Sequence, residues 1–128
     1  MISSGIIKRC LEECEKSTYR FRIGAVIFKG SRIISSGHNG IRSVFQIKNK
    51  FKKYENSLHA EQSALMNIDW SKVKGCSILV MRISPSKGIL GMSKPCETCQ
   101  KLLEYMGIKN IYYSNEKGEI VKSKLENL

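Results

Sequence analysis

The stretch His59-Ala60-Glu61, followed further along the chain by Pro95-Cys96-Glu97-Thr98-Cys99, is the part of the sequence that most constrains the fold and the chemistry. The imidazole of His59 and the thiols of Cys96 and Cys99 are ligands that suit zinc, whereas magnesium and calcium prefer oxygen. Three protein ligands leave the fourth position of a tetrahedral zinc ion open, as a catalytic site requires and a structural site does not. The sequence therefore predicts one catalytic Zn²⁺ per chain.

Both halves of this pattern lie at the predicted first turn of a helix. Backbone N–H groups there create a positive potential that favours thiolates over thiols. Pro95 fits because proline costs no hydrogen bond at a helix start. Cys96 and Cys99 are three residues apart, which brings both sulfurs to one side of the turn. Glu61 is not needed as a ligand, and we expect its carboxylate to carry protons between a metal-activated water and the substrate.

The hydrophobic pattern predicts alternating helices and strands. Apolar side chains recur at helical spacing over residues 2–16, with Glu13 assigned to the polar side. Strands are predicted over 21–28, 32–36, 76–83, 110–114 and 119–122, and helices from an N-cap at Ser57 and over 96–106. This order predicts a three-layer α/β/α fold with a mixed sheet of four to five strands. The link 115–118 is too short for a parallel crossover but long enough for an antiparallel hairpin, and the sequence alone leaves open whether a fifth strand forms that hairpin.

The composition is typical of one globular domain covering residues 1–128, with 41% hydrophobic residues and two prolines. No apolar run approaches the roughly 20 residues of a membrane span, and no secretory signal is recognisable at the start, so we expect a cytoplasmic protein. Cys10, Cys14 and Cys76 are expected to be reduced thiols in the core. Lys and Arg outnumber Asp and Glu by 22 to 11, which favours an anionic partner, either a phosphorylated small molecule or nucleic acid.

Together these motifs resemble the cytidine/deoxycytidylate deaminase superfamily. The H-x-E…P-C-x-x-C pattern is the signature of zinc-dependent nucleobase deaminases. Residues 22–27 are similar to the family's first strand, and Gly37-His38-Asn39-Gly40 is similar to its G-x-N loop. The resemblance implies a cytidine-deaminase-like fold, in which Asn39 would hydrogen-bond the substrate sugar, the Ala60 backbone N–H would bind the base carbonyl, and Glu61 would be the catalytic acid and base.

The resemblance also implies the reaction, which is hydrolytic deamination of a cytosine-type base in a free nucleoside or nucleotide, with release of ammonia. The loop 37–42 and the basic stretch before His59 resemble deoxycytidylate deaminases, and Arg42 could contact a 5′-phosphate. By contrast, Met92-Ser93-Lys94 replaces the Thr-Leu-x usual before Pro-Cys in deoxycytidylate and tRNA-adenosine deaminases. A terminal hairpin is more similar to the free-cytidine branch. Family members commonly assemble, so a homo-oligomer is expected.

Two alternatives are open on the sequence alone. A deaminase acting on a base within RNA or single-stranded DNA would use the basic and aromatic residues from Arg42 to Tyr54 as its strand-binding surface. A non-catalytic zinc module that binds nucleotides or nucleic acid is the alternative from another class. His38, beside Asn39, is interpreted as a turn or packing residue and not as a second metal ligand.

Overall fold

The computed structural model describes residues 2–17, 22–41, 57–66, 68–84 and 90–124 of the chain. In chain order their helices and strands are α1 (Ser4–Lys16), β1 (Arg22–Lys29), β2 (Arg32–His38), β3 (Gly40–Ile41), β4 (Ser57–Leu58), α2 (Ala60–Met66), a 3₁₀ helix (Trp70–Lys72), β5 (Ser77–Ile83), α3 (Glu97–Tyr105), β6 (Asn110–Ser114) and β7 (Ile120–Lys124). Within these ranges, no helix combines the length and the apolar character that crossing a bilayer would require.

Within the described part of the chain, the main sheet has five strands in the order β2-β1-β5-β6-β7. β1 pairs antiparallel with both β2 and β5, whereas β5 and β6 are parallel. β6 and β7 form an antiparallel hairpin. The predicted mixed sheet is therefore confirmed, and the structure shows the terminal hairpin that the short link allowed.

Helices cover both faces of this sheet, which confirms the three-layer architecture. Successive residues of a strand point to opposite faces, and β1 follows this rule. Its Val26 and Phe28 pack with α1, whereas Ala25 and Ile27 pack with α2 and α3. On the α1 face, the fully buried thiols of Cys10 and Cys14 belong to the core, as predicted, together with the side chains of Ile6, Leu79 and Met81. The opposite face holds Leu65 of α2 and Leu103 of α3.

Two glycines allow helices to approach the sheet closely. A Cβ atom on Gly24 would lie 2.5 Å from the Cys10 carbonyl oxygen in α1, and one on Gly37 would lie 2.4 Å from the Ala64 backbone nitrogen in α2. Both distances are shorter than real Cβ contacts. Gly37 pairs with Ala25, the neighbour of Gly24, across the two strands. The backbones of α1 and α2 therefore contact opposite faces of the sheet at almost the same point along it.

The predicted helix cap at Ser57 is wrong. Ser57 pairs with Ile41 in the short β3–β4 ladder, so its backbone is extended. α2 begins at Ala60 instead. The side chain of Gln62 accepts the backbone N–H of His59 at 3.0 Å, which stabilises the first turn as one half of a capping box does.

The placement of Glu13 on the polar side of α1 is also wrong. Only 5% of this residue is exposed. Its carboxylate accepts the hydroxyl of Ser36 at 2.6 Å and lies 2.8 Å from Nδ1 of His38. A buried carboxylate requires such partners, and β2 supplies them because the strand continues to His38, beyond the predicted end at Ser36. His38 thus lies at the end of β2 as the partner of Glu13, whereas the sequence had suggested a turn or packing residue.

Candidate active site

Two helix starts bring the predicted metal ligands together. His59 immediately precedes α2, Cys96 is the N-cap of α3, and Cys99 lies in the first turns of α3. The His59 Nδ1 atom is 3.2 Å from the Cys99 sulfur and 3.6 Å from the Cys96 sulfur. The potential ligand atoms of the three residues all lie within 4.8 Å of one another.

The donor set fits a zinc ion. Ligand bonds of about 2.0–2.3 Å in a tetrahedron place nitrogen and sulfur donors about 3.5–3.8 Å apart. The two nitrogen–sulfur separations, 3.2 and 3.6 Å, lie in or close to that range, so a small adjustment of the side chains would suffice. Cys99 is buried and Cys96 is exposed. The cluster is thus buried at Cys99 and reaches the protein surface at Cys96.

The electrostatics of the cluster favour a thiolate. Hydrogen bonds from the Cys99 side chain and then from His59 lower the pKa of Cys96 to about 3, and they outweigh the opposing effect of its partial desolvation. The backbone N–H of Cys99, in the first turns of α3, acts in the same direction. Cysteine ligates metal as the thiolate, so this environment prepares Cys96 for coordination.

Glu61 lies beside this cluster, as the second residue of α2, with 5% of its surface exposed. Burial raises the pKa of its carboxyl group, against the opposing effects of its own backbone N–H and of His59. A carboxyl group with a raised pKa exchanges protons more readily near neutral pH than an ordinary glutamate does. The arrangement therefore combines three metal donors with a buried group that can carry a proton.

Asn39 is fixed by two hydrogen bonds to its side-chain oxygen. Oδ1 accepts the hydroxyl of Ser17 at 2.7 Å and the backbone N–H of Ile23 at 2.9 Å. Since a backbone N–H can only donate, these contacts define the amide orientation. The next residue, Gly40, pairs with Leu58, the residue before His59, so the backbone after Asn39 lies beside the backbone that leads to His59. The part played by Ser17 gave no signal in the sequence.

Ser93 connects the segment that precedes the two cysteines to the sheet. The Ser93 hydroxyl donates to the Val80 carbonyl of β5 at 2.7 Å, and its backbone N–H donates to the Ser114 carbonyl of β6 at 2.9 Å. Gln100 of α3 donates its side-chain amide to the Pro95 carbonyl at 2.8 Å. Ser93 belongs to Met92-Ser93-Lys94, the triplet that departs from the family pattern. Its hydrogen bonds connect this triplet to β5 and β6. The sequence alone did not indicate this role.

Ala60 and Arg42 are the other two residues predicted to contact the substrate. Ala60 is the first residue of α2 and is buried, and N–H groups in a first turn have no acceptor within their own helix. Arg42 lies outside the described residues, as does the rest of the basic and aromatic stretch to Tyr54.

Comparison with known proteins gives concordant results. A family model described as the cytidine and deoxycytidylate deaminase zinc-binding region matches residues 3–115. Deoxycytidylate deaminases of Pongo abelii and Homo sapiens are 31% and 30% identical over 107 residues, covering 75% of this chain and 54% of theirs. The chain thus spans about half the length of the curated relatives it matches.

Solved structures share the fold. A cytidine deaminase from Burkholderia pseudomallei superposes with a TM-score of 0.70 at 16% identity, covering 99% of this chain and 95% of that chain. A dCMP deaminase from the cyanophage S-TIM5, in complex with dCMP and dUMP, gives a TM-score of 0.58 at 24% identity, covering 91% and 85%. At these identities the likeness establishes the architecture.

Proposed function

Since the chain belongs to the family of the cytidine and deoxycytidylate deaminase zinc-binding region, we propose that it is a zinc-dependent deaminase of a cytosine-type base in a free nucleoside or nucleotide. The observation that carries this proposal is the convergence of His59, Cys96 and Cys99 in a cluster next to the buried Glu61. Zinc held by these three residues would lower the pKa of a water molecule and so make it a nucleophile near neutral pH. Attack at the amino-bearing ring carbon and loss of ammonia would give the uracil-type product.

Glu61 is the proposed proton carrier. It would accept the proton of the attacking water, deliver it to the adjacent ring nitrogen, and then protonate the departing amine. The burial that raises the pKa of its carboxyl group supports this role, because the group must be able both to take and to give a proton in each cycle. The exposed Glu97 of the second motif lacks these surroundings.

Two contacts are proposed to orient the substrate. The Ala60 backbone N–H, at the start of α2, would bind the carbonyl oxygen of the base. Asn39 would contact the sugar through its side chain, whose orientation Ser17 and Ile23 determine by their hydrogen bonds to its oxygen. The β3–β4 pairing supports this arrangement, since it joins the chain just after Asn39 to the chain just before His59.

Among the candidate substrates, we favour a deoxycytidylate-type nucleotide. The curated relatives are deoxycytidylate deaminases, and the net charge of +11 favours a substrate with a phosphate group. The terminal antiparallel hairpin is the feature that favours a free nucleoside instead. Comparing deoxycytidine with dCMP would therefore decide the substrate class.

The test is ammonia release by the zinc-loaded protein from cytidine, deoxycytidine, CMP and dCMP. We expect turnover, highest with dCMP, and its loss in Glu61→Gln with the zinc content unchanged. Glu97→Gln is the matched control, because it makes the same change at an exposed carboxylate of the other motif, and it should retain activity.

Other outcomes would contradict the proposal in different ways. No turnover on any of the four compounds despite bound zinc would exclude a free nucleoside or nucleotide of this set, and the same assay on RNA and single-stranded DNA would then be required. Unchanged turnover in Glu61→Gln would remove Glu61 from the chemistry. A protein that binds nucleotides equally well in both forms and never releases ammonia would be a non-catalytic zinc module.

A further inference from the structure

A cavity of about 430 Å³ lies at the opposite end of the sheet from the candidate active site. Lys29 and Arg32, at the turn between β1 and β2, line it together with Lys72 of the 3₁₀ helix. β1 begins beside Asn39, whose N–H donates to the Ile23 carbonyl, and ends at Lys29. A strand of this length extends for roughly 23 Å at about 3.3 Å per residue. The cavity is therefore separate from the metal cluster.

The rim of this cavity has an excess of positive charge. Lys29 and Arg32 are direct cross-strand partners, and like charges in that position destabilise a hairpin. The ion pairs formed within the described residues all involve Glu13, on the α1 side. Three cationic side chains on the rim thus face one carboxylate, that of Asp69.

Asp69 offsets only part of this charge, because a single carboxylate faces three cations. Its Oδ1 atom accepts the backbone N–H of Ser71 at 3.0 Å and the Ser71 hydroxyl at 2.9 Å, as the N-cap of the 3₁₀ helix. These bonds hold the carboxylate against its own helix. Lys72 is close enough to lower the pKa of Asp69, but two hydrogen bonds from Ser71 are the larger causes of that shift.

The walls below the charged rim are partly apolar. Ile34 and Ile68 are half-buried and line the cavity, and the buried Cys76 closes its inner end. Cys76, the residue before β5, donates its thiol hydrogen to the Lys72 carbonyl at the end of the 3₁₀ helix at 3.3 Å. The cavity thus offers cations at its mouth and non-polar surface inside, and its volume is in the range that holds small ligands.

We propose that this cavity binds a phosphorylated small molecule, with its phosphate groups against Lys29, Arg32 and Lys72 and its apolar part against Ile34 and Ile68. Charge-assisted hydrogen bonds from Arg and Lys are the usual means of holding phosphate. Such a ligand would also relieve the repulsion between Lys29 and Arg32. The proposal is independent of the deaminase chemistry, since none of these residues belongs to the candidate active site.

The chain contains one tryptophan, which makes the test direct. Trp70 begins the 3₁₀ helix that carries Lys72, and 41% of it is exposed. We expect its fluorescence to change saturably on titration with inorganic tripolyphosphate at constant ionic strength. ATP carries the same phosphate chain on a ring system, so we expect it to bind more tightly if the apolar walls take part. Equal affinity for both probes would exclude the apolar half of the proposal.

Two double variants distinguish binding at this cavity from a general effect of the protein's positive charge. The double variant Arg32→Gln/Lys72→Gln should weaken binding at least tenfold. The matched control Lys8→Gln/Lys117→Gln removes the same charge from exposed positions elsewhere and should stay within about twofold of the unmodified protein. Equal losses in the two double variants would overturn the proposal, as would the absence of any saturable change in both fluorescence and melting temperature.

A stability measurement gives an independent readout. Because Lys29 and Arg32 repel each other, Arg32→Gln should not lower the melting temperature of the ligand-free protein. The same substitution should abolish the increase in melting temperature that tripolyphosphate produces in the unmodified protein. A lower melting temperature of the ligand-free variant would assign Arg32 a structural role and contradict the proposal.

Discussion

Ser17 is the residue on which the orientation of Asn39 depends most directly. Its hydroxyl is buried, at the C-cap of α1, and donates to Asn39 Oδ1 at 2.7 Å. Although Ser17 is not expected to touch the substrate, it would act on it through Asn39. It is therefore a positioning residue of the proposed site.

Replacing Ser17 by Ala removes this hydrogen bond, which is worth about 1 kcal/mol or roughly a fivefold change in an equilibrium constant. We expect an increase of that size in KM for the substrate, with kcat and zinc content nearly unchanged. Steady-state kinetics of the variant would check this. The control is Ser71→Ala, which removes a hydroxyl at the other end of the sheet. If both variants leave KM unchanged, Asn39 does not contribute to substrate binding through this contact.

At the scale of the elements, Gly37 sets the distance between α2 and β2. A side chain there would meet the backbone of Ala64 and also the Ser63 hydroxyl, 2.5 Å away. Backbone atoms cannot move aside as the end of a flexible side chain can. The helix that starts at the metal cluster would therefore have to shift away from the sheet.

Gly37→Ala should destabilise the protein by about 1–3 kcal/mol, the usual cost of overpacking. Gly5→Ala is the matched control, because a Cβ atom at Gly5 meets nothing within 4 Å and the position lies within α1. Alanine is favoured over glycine in a helix by roughly 0.5–1 kcal/mol, so this variant should be more stable than the parent. Urea unfolding would measure whether the free energy of unfolding falls in Gly37→Ala and rises in Gly5→Ala. An unchanged free energy of unfolding in Gly37→Ala would contradict the close approach of α2 to β2.

The contact between α1 and β2 is expected to depend on pH. Burial raises the pKa of Glu13, but hydrogen bonds from Ser36 and His38 and the charge of Lys16 outweigh it, so the pKa lies below its ordinary value of 4.5. The charged groups that face this carboxylate are Arg9 and Lys16 from α1, and the imidazole of His38 faces it from β2.

A carboxyl group with a lowered pKa in the folded state stabilises the protein above its unfolded pKa. This stabilisation is lost as pH falls through the lower folded-state value. Below about pH 4.5, the free energy of unfolding of Glu13→Gln should therefore depend less steeply on pH than that of the parent. Denaturation at a series of pH values would check this. Parallel curves for the two proteins would show that Glu13 does not contribute to acid sensitivity.

At the scale of the whole molecule, a metal at the candidate site would connect α2 to α3 across one face of the sheet. His59 precedes one helix and the two cysteines belong to the start of the other. A ligand that binds only the folded state stabilises it, by about 2.7 kcal/mol at a free concentration one hundred times its Kd. Metal binding should therefore be visible in the melting temperature.

Chelation of zinc should lower the melting temperature of the parent protein by several degrees, since about 1 kcal/mol corresponds to roughly 4 °C for a chain of this size. In Cys96→Ser, which weakens the donor set, the chelator should have little effect. Cys76→Ser is the control, because this thiol lies outside the cluster, and the chelator should act on it as on the parent. Scanning calorimetry with metal analysis would check the three proteins, and a parent insensitive to chelator would contradict the zinc site.

The homo-oligomeric assembly and the cytoplasmic location stay predictions at this scale. Sedimentation of the zinc-loaded protein would determine the first, and cell fractionation would determine the second.

The sequence alone determined the features that depend on short-range spacing. The metal ligands stand out because two cysteines three apart after a proline, and a histidine two residues before a glutamate, have a recognisable chemistry. The length of the link 115–118 excluded a parallel crossover, because a crossover needs more chain. The order of helices and strands followed from hydrophobic periodicity. These features depend on neighbours in the chain, so the sequence contains them directly.

Which distant residues meet depends on the order and register of the strands. Ser17 reaches Asn39, and Glu13 is buried, because the antiparallel register of β1 and β2 places Gly24 opposite His38 under α1. Likewise, the cavity lined by Lys29, Arg32 and Lys72 exists because the β1–β2 turn and the 3₁₀ helix meet at one end of the sheet. Side chains on one helix surface look alike in the sequence whether they face solvent or a neighbouring strand. Strand order and register settle that difference, and both depend on contacts between residues far apart in the chain.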